Sequence, residues 1–518
     1  MVEKMNASVL PALTPYVLIM GAFTLVFFKV FKVNSLITRF YVSLYLVFSF
    51  IASLLIYNLV ENQGVVYYTI GGFQPPIGIT YVVDGFSGLI GLVISGLALF
   101  LYPLFSVFPR GVDEYYLALY LGLVAGLLGV IYTGDLFNMF VMLEVALISS
   151  YGLIALGSHK ESYKAVFDYI MIAGVGGILF FLGVGLIYFA AGTVNIGQLG
   201  LIQLGIDTGY RGLVENPGRY LPILAIILFW SLAIDEALAP LHFWLPPAYS
   251  SINPVTASLL AGVAEGVSYY ALARIIYTVL GGLTPVLEYS LRILGILTIL
   301  VGGLGAVYSK RILYTIAYTV VMDSGYIAIA LSLGPSGLGI ALLYIIAHAI
   351  VKPLLFLTAG WIRETHGTDK LDSATGSLRA SRILQLSMVI GAITIAGIPP
   401  TIFFTAKLQV YMGLLEAISR DYTIPVALVV AFIGSAMGLV AFLKILNYTV
   451  FEASGIKQDI HVPGLLKIYL LVLSIVIVLL GLIYGFVLDP LISSTARSLI
   501  DERSVYLEVV RRILWIGD

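Results

Sequence analysis

Apolar runs of about 20 residues, the length a helix needs to cross a bilayer, recur along nearly the whole chain. They predict spans near 9–30, 36–60, 83–108, 115–133, 135–157, 164–190, 220–240, 256–280, 286–308, 312–333, 337–360, 382–415, 424–450 and 466–488, fourteen in all. Two of these runs are interrupted from within. In the first, Asp235, Glu236, Pro240, His242, Pro246 and Pro247 fall at the end of the apolar stretch that starts near Leu221. Proline removes a backbone donor and bends or breaks a helix, and such a break survives at membrane depth only when buried in protein or lining a watery cavity. The second interruption, Thr394-Ile395-Ala396-Gly397-Ile398-Pro399-Pro400, comes five spans later. Broken helices in corresponding positions of two five-span blocks, spans four to eight and nine to thirteen, are the mark of an inverted repeat. The predicted fold is therefore all-α and polytopic. Residues 1–114 form the first three spans with an external hairpin, 115–280 one five-helix repeat, 286–450 its inverted copy, and 451–518 the last span and a tail.

Between spans two and three, Val66 to Ile70 and Ile77 to Val82 flank a Gly-Gly and Pro-Pro turn and read as a short external β-hairpin. The stretch from Gly192 to Pro217 is only moderately apolar and reads as an interfacial connection. Past Leu491, apolar residues alternate with Arg497, Arg503, Arg511 and Arg512. That pattern fits an amphipathic surface helix or a partner-docking segment.

Composition narrows the class. The chain is 60% hydrophobic and 11% charged, with a mean hydropathy of +1.04, whereas soluble domains carry about 25% charge. A net charge of -1 leaves no footprint for nucleic acid. The absence of cysteine excludes disulfides, thiolate-held iron–sulfur clusters and a cysteine nucleophile in this chain. No motif for a redox cofactor or nucleotide is present, so no cofactor is expected. Lysines and arginines such as Lys29, Arg39, Arg110, Lys160, Lys310, Arg311, Arg363, Arg379 and Lys457 fall on one side of the span map. The other side holds mainly Lys4, Arg211, Arg219 and Arg420. The positive-inside rule then puts both termini outside the cytoplasm, with the chain in the cell membrane.

The chemistry lies in charges at membrane depth. Glu144 sits alone in the run Leu136 to Ile154, where a carboxylate is costly unless paired, hydrated or protonated. It is either a polar lock between helices or an ion-handling group. Asp235 and Glu236 point about 100° apart on a helix, so one can face a partner while the other caps the break. Should one face Glu144, the two like charges must share a proton or a cation; a sodium ion near Glu144 and Asp235 is one such outcome. Glu265 is either a protonated group packed against Ser268 or Tyr269, or part of a path. Asp323 is mid-span, His348 and Lys352 share one face of the next helix, and Lys407 follows the second break. An alternating set of Asp, His, Lys and Lys through consecutive spans is what a proton relay requires, since each charge biases its neighbour. His242 either joins the site or orients the broken loop.

These same residues carry a family resemblance. Thr133-Gly134-Asp135-Leu136-Phe137-Asn138 with Glu144 resembles the Mrp-type cation/proton antiporter subunits, D-like, and the antiporter-like subunits of respiratory complex I and of archaeal membrane-bound hydrogenases. So do Pro240-Leu241-His242-Phe243-Trp244-Leu245-Pro246, Lys310-Arg311-Ile312-Leu313, His348 through Lys352-Pro353-Leu354, and Gly397-Ile398-Pro399-Pro400 with Lys407. The resemblance implies a subunit that conducts protons, or exchanges them for sodium, within a complex of other membrane subunits. It also implies that Glu144, His348, Lys352 and Lys407 belong to the family's chain of membrane-embedded groups. Three positions depart from the family. Asp235 stands where the family has a lysine on the first broken helix, Gly266 beside Glu265 where it has a lysine in the eighth span, and Asp323 where many members have histidine or glutamine. The first block is thus either retuned to an acidic ion site or reduced to a connector. The expectation is an antiporter-like ion-translocating subunit of an Mrp-type or respiratory complex. A non-conducting scaffold and a stand-alone secondary transporter are the alternatives.

Overall fold

With no water in the hydrocarbon layer to satisfy N–H and C=O groups, helices close their own hydrogen bonds and dominate. The computed structural model describes residues 6–157, 161–452, 461–501 and 503–514. Lys4, Lys160 and Lys457 lie outside the described residues. In chain order the helices are α1 (Leu10–Val30), α2 (Ser35–Gln63), α3 (Gly85–Leu101), α4 (Glu114–Tyr132), α5 (Leu136–Ala155), α6 (Ser162–Ala191) and α7 (Ile196–Gln203). The middle of the chain continues with α8 (Leu221–Asp235), α9 (Leu245–Ser251), α10 (Pro254–Leu259), α11 (Glu265–Arg274), α12 (Pro285–Tyr308), α13 (Ile312–Leu331) and α14 (Pro335–His366). Then come α15 (Arg382–Ala396), α16 (Ile402–Glu416), α17 (Thr423–Leu446), α18 (Gly464–Leu482), α19 (Asp489–Asp501) and α20 (Arg503–Ile513). A π-turn, Leu260–Ala264, joins α10 to α11, and a second extends that span to Val279.

Among the described residues, 12 helices are long and apolar enough to cross a membrane. The two remaining predicted spans, 220–240 and 382–415, are the interrupted ones. Their first halves, α8 and α15, have 15 residues each. Both halves end alike. Leu238 N–H donates to Ala233 O (3.0 Å) and Ala237 N–H to Ile234 O (3.1 Å); Ile398 N–H donates to Ile393 O and Gly397 N–H to Thr394 O, both 2.9 Å. This is the Schellman closure, which needs a left-handed residue just past the helix. Ala237 (φ 52°) and Gly397 (φ 71°) supply it.

Two helix starts are likewise built alike. Leu136 N–H donates to Val194 O and Ile196 N–H to Gly134 O, clamping the start of α5. Ile312 N–H donates to Asp369 O and Leu371 N–H to Lys310 O, clamping α13. Basic side chains close several helix C-termini, where orphan carbonyls and the helix dipole favour a cation. Lys444 Nζ donates to Val307 O (2.5 Å), Arg363 to Ile252 O (3.0 Å) and Arg503 to Thr278 O (3.1 Å).

The predicted hairpin is present as β2 (Val66–Thr69) paired antiparallel with β3 (Thr80–Val83), Val66 opposite Val83; β1 (Asn6–Ala7) adds a short parallel strand. The region 192–217 is more than a surface connection, because it contains α7. Its Asn195 side chain accepts from the Gly197 and Gln198 amides, and its apolar face is buried. The amphipathic tail folds back on its own chain. Leu507 and Val510 of α20 pack on Gly200 and Gly197, and α19 lies against α3 and α14. At the centre, α13 and α14 are buried along nearly their whole length. The α14 helix runs unbroken through Pro353.

Candidate functional site

The π-turn ahead of Glu265 inserts a residue into the helical ladder, a device concentrated at functional positions. It places Glu265, buried, against α14. On α14, Tyr344, His348 and Lys352 recur at four-residue intervals and so share one face. That face meets Asp323 of α13. Lys352 Nζ donates to Asp323 Oδ2 at 2.5 Å, and the Tyr344 hydroxyl donates to Asp323 Oδ1 at 3.0 Å. His348 Nε2 lies 3.4 Å from the same Oδ2 without an aligned hydrogen bond. Its other nitrogen, Nδ1, is 3.9 Å from Glu265 Oε2. Thr319 Oγ1 takes a further contact from Lys352 at 3.3 Å. All six of these side chains are buried, so their charges interact in a medium far less screening than water.

Lys407 projects from α16 back onto the end of α15. Its Nζ donates to Ile395 O at 2.6 Å and sits 5.0 Å above the Tyr326 ring. A Cβ at Gly397 would come within 2.9 Å of Lys407 Cδ, so glycine both turns the chain and makes room for the lysine stem. Phe403 bridges the two lysines' neighbourhoods, stacking on His348 at 5.6 Å with Lys352 5.7 Å from its centroid.

The 115–280 stretch contributes three carboxylates here, of which Glu265 faces His348 and Tyr249. Both Glu236 carboxyl oxygens, both of Glu265 and Asp235 Oδ1 are buried and lack a hydrogen bond. Uncompensated polar atoms of this kind are expensive, so each oxygen calls for a proton, a water or a cation. The α8 break is tied to α13 through Ser324, whose hydroxyl donates to Glu236 O, while the Tyr269 hydroxyl donates to Ser324 O at 2.7 Å. Glu144 is only half-buried; on α5 it shares a face with the exposed Phe137, Val141 and Ile148, next to Gly177 of α6. Asp235 is close enough to Glu144 for their charges to interact. Among the described residues no group of three or more His, Cys, Asp or Glu is arranged to hold a metal ion. His242 stands apart from this set, buried against Phe243 with its Nδ1 unpartnered.

Sequence reasoning missed a second buried pair. Arg274 Nη1 and Nη2 donate to Asp84 Oδ2 and Oδ1 at 2.7 and 2.8 Å, the two side chains being 1% and 2% exposed. Ser87 and Tyr270 complete the network, and the Tyr506 ring of the tail covers the guanidinium at 5.1 Å. An arginine within an apolar span was the available signal; its partner, 190 residues away, was not readable from spacing. Tyr344 could have been found from its four-residue spacing to His348.

The sequence profile of the NADH:quinone oxidoreductase/Mrp antiporter transmembrane family matches residues 133–438, a stretch holding every candidate residue from Glu144 to Lys407. The D-type subunit of the Na(+)/H(+) antiporter of Alkalihalophilus pseudofirmus is 30% identical over 513 residues, 98% of this chain and 99% of that relative. Among solved structures, the membrane-bound sulfane sulfur reductase, an archaeal respiratory membrane complex, contains a chain that superposes with a TM-score of 0.85 at 27% identity. A chain of the Mrp complex from a Dietzia species does so with a TM-score of 0.83 at 26% identity. Both superpositions cover 97% of this chain and 100% of the other.

Proposed function

The chain belongs to the NADH:quinone oxidoreductase/Mrp antiporter transmembrane family, and from that premise we propose that it is an antiporter-like subunit of a multisubunit membrane complex, translocating protons, sodium ions or both. The observation that carries this reading is the set of ionisable groups that runs from the half-buried Asp235 and the buried Glu236 through Glu265, His348, Asp323 and Lys352 to Lys407, the last six all buried. Ionisable groups at membrane depth are costly and are retained for ion pathways. The matching Schellman ends of α8 and α15 and the matching clamps on α5 and α13 support reading 115–280 and 286–450 as two inverted repeats. Related chains are named as subunits of larger assemblies, so any redox chemistry belongs to partners. The one-sided distribution of Lys and Arg supports a cell-membrane protein with both termini outside the cytoplasm.

A second reading concerns the first block alone. Among the described residues Glu144, Asp235 and Glu236 form no salt bridge, which favours either a cation-binding role or a passive connector. Ion-gradient formation by the intact complex in sealed vesicles separates these. Lys407→Ala abolishes proton movement if the second block conducts, and full pumping in that variant sinks the translocation reading. Loss of the sodium response alone in Asp235→Asn identifies the acidic block as a cation site, and wild-type behaviour identifies it as a connector.

A further inference from the structure

We infer that the loop between α7 and α8 holds a zwitterionic phospholipid headgroup at the membrane boundary, its phosphate on Arg219 and its ammonium on Glu215. Residues 202–219 enclose a cavity of about 710 Å³, within the range of about 300–1,000 Å³ typical of ligand pockets. Its walls are pinned from two sides. Leu213 N–H donates to Phe189 O of α6 at 2.9 Å, and Ile206 N–H donates to Leu201 O of α7 at 3.0 Å. Gly218 passes so close to the end of α7 that a Cβ there would lie 2.8 Å from Ile202 O. Within these walls the lining keeps polar atoms that no protein group satisfies. Thr208 is 3% exposed, yet its Oγ1 has no hydrogen-bond partner, and the buried Gln203 Oε1 accepts no hydrogen bond either. The hydroxyl can donate to a phosphate oxygen, and the amide oxygen can accept from an ammonium.

Charge selects the headgroup. Of the four charged residues lining the cavity, Asp207 and Arg211 are paired with each other at 2.9 Å. Glu215 and Arg219 have no ion pair among the described residues. One unpaired charge of each sign matches a zwitterion, whereas a headgroup with a phosphate alone leaves Glu215 uncompensated. The planar fork of the arginine suits the phosphate oxygens. Position supplies the rest of the ligand. The loop joins the ends of two apolar helices, α6 and α8, so it sits where hydrocarbon gives way to water. Tyr188, Tyr210 and Tyr220 are exposed there, and tyrosine concentrates at that boundary. From the loop onward, Ile223, Ile227 and Trp230 recur on α8 at i, i+4 and i+7, with Ile223 and Trp230 exposed. They form an apolar stripe on one helix face along which acyl chains can lie, which a headgroup free of its chains would leave unused.

The test uses the purified intact complex and a phosphatidylethanolamine that carries a photoactivatable diazirine on one acyl chain, the labelled peptides being identified by mass spectrometry. Label is expected on α8 between Ile223 and Trp230. An equal amount of unlabelled phosphatidylethanolamine lowers it about twofold by mass action. Phosphatidylglycerol, which lacks the ammonium, and phosphoethanolamine, which lacks the chains, leave it nearly unchanged at the same concentration. Arg219→Gln and Glu215→Gln each lower the labelling about fivefold or more, through the loss of a hydrogen bond to a charged group. Thr208→Val, which keeps the side-chain shape and removes the hydroxyl, lowers it as well. The competition series needs no substitution and decides the matter should the variants fail to assemble. Equal competition by phosphatidylglycerol overturns the zwitterion, and equal competition by phosphoethanolamine overturns the lipid in favour of a free headgroup. Labelling that is unchanged in both charge variants, or absent from residues 202–230 because a partner subunit covers them, overturns the site.

Discussion

Arg274 and Asp84 illustrate how a single residue's worth is set by what remains after its removal. The guanidinium is held by two hydrogen bonds to the carboxylate, one to Ser87 and the rings of Tyr270 and Tyr506. Removing one partner of a buried pair leaves an uncompensated charge and costs about 3–5 kcal/mol, while replacing both by apolar groups is often nearly neutral. Arg274→Leu should therefore lower the unfolding midpoint of the purified complex sharply, and Asp84→Leu/Arg274→Leu should recover most of the loss. A double variant as unstable as the single would mean that the pair's geometry, and not its charge balance, is what the fold needs. Glu144 shows the converse case, a charge placed on an open face. A carboxylate at mid-bilayer costs about 2.5–3.5 kcal/mol even on insertion scales, and its neighbours Phe137, Val141 and Ile148 are exposed.

At the level of elements, the two broken helices end with the same hydrogen bonds but different residues in the left-handed position. Gly397 accepts φ 71° freely, whereas Ala237 at φ 52° does not, since an L-residue there costs about 1–2 kcal/mol. Ala237→Gly is accordingly expected to be neutral or to stabilise by up to about 1 kcal/mol, after the entropy glycine adds to the unfolded chain. Ala237→Val should destabilise by more, being both β-branched and fully buried. Thermal unfolding of the two variants side by side checks the sign; a stabilising valine would refute the account. This also marks what was legible. The prolines and Gly397 announced the breaks, but nothing in the sequence around Ala237 announced its left-handed turn, because the tertiary packing imposes that conformation against local preference. The π-turn before Glu265 was hidden for the same reason.

For the whole molecule, the unpaired face of α5 and α6 predicts where a partner sits. The chain has no cysteine, so Val141→Cys and Ile148→Cys each introduce a single reactive thiol on that face. In the intact complex both should cross-link to a neighbouring membrane subunit with a short photo-cross-linker attached at the thiol, a reagent that needs no cysteine in the partner. Labelling of the α5 positions by membrane-soluble maleimide in the assembled complex, without cross-linking, would show that face to be covered by lipid.

The sequence by itself determined which stretches are long and apolar enough to cross a membrane, where two of them break, and which ionisable groups fall within them. Those properties are local: hydrophobicity, proline chemistry and the roughly 20-residue length of a span are all read along the chain. It also determined the hairpin and the amphipathic character of the tail. Only the tertiary structure decided which stranded charges meet. Asp323 pairs with Lys352 across 29 residues, Asp84 with Arg274 across 190, and Glu265 of α11 faces His348 of α14. Helical periodicity says which residues share a face, but which face meets which is set by the packing of whole helices.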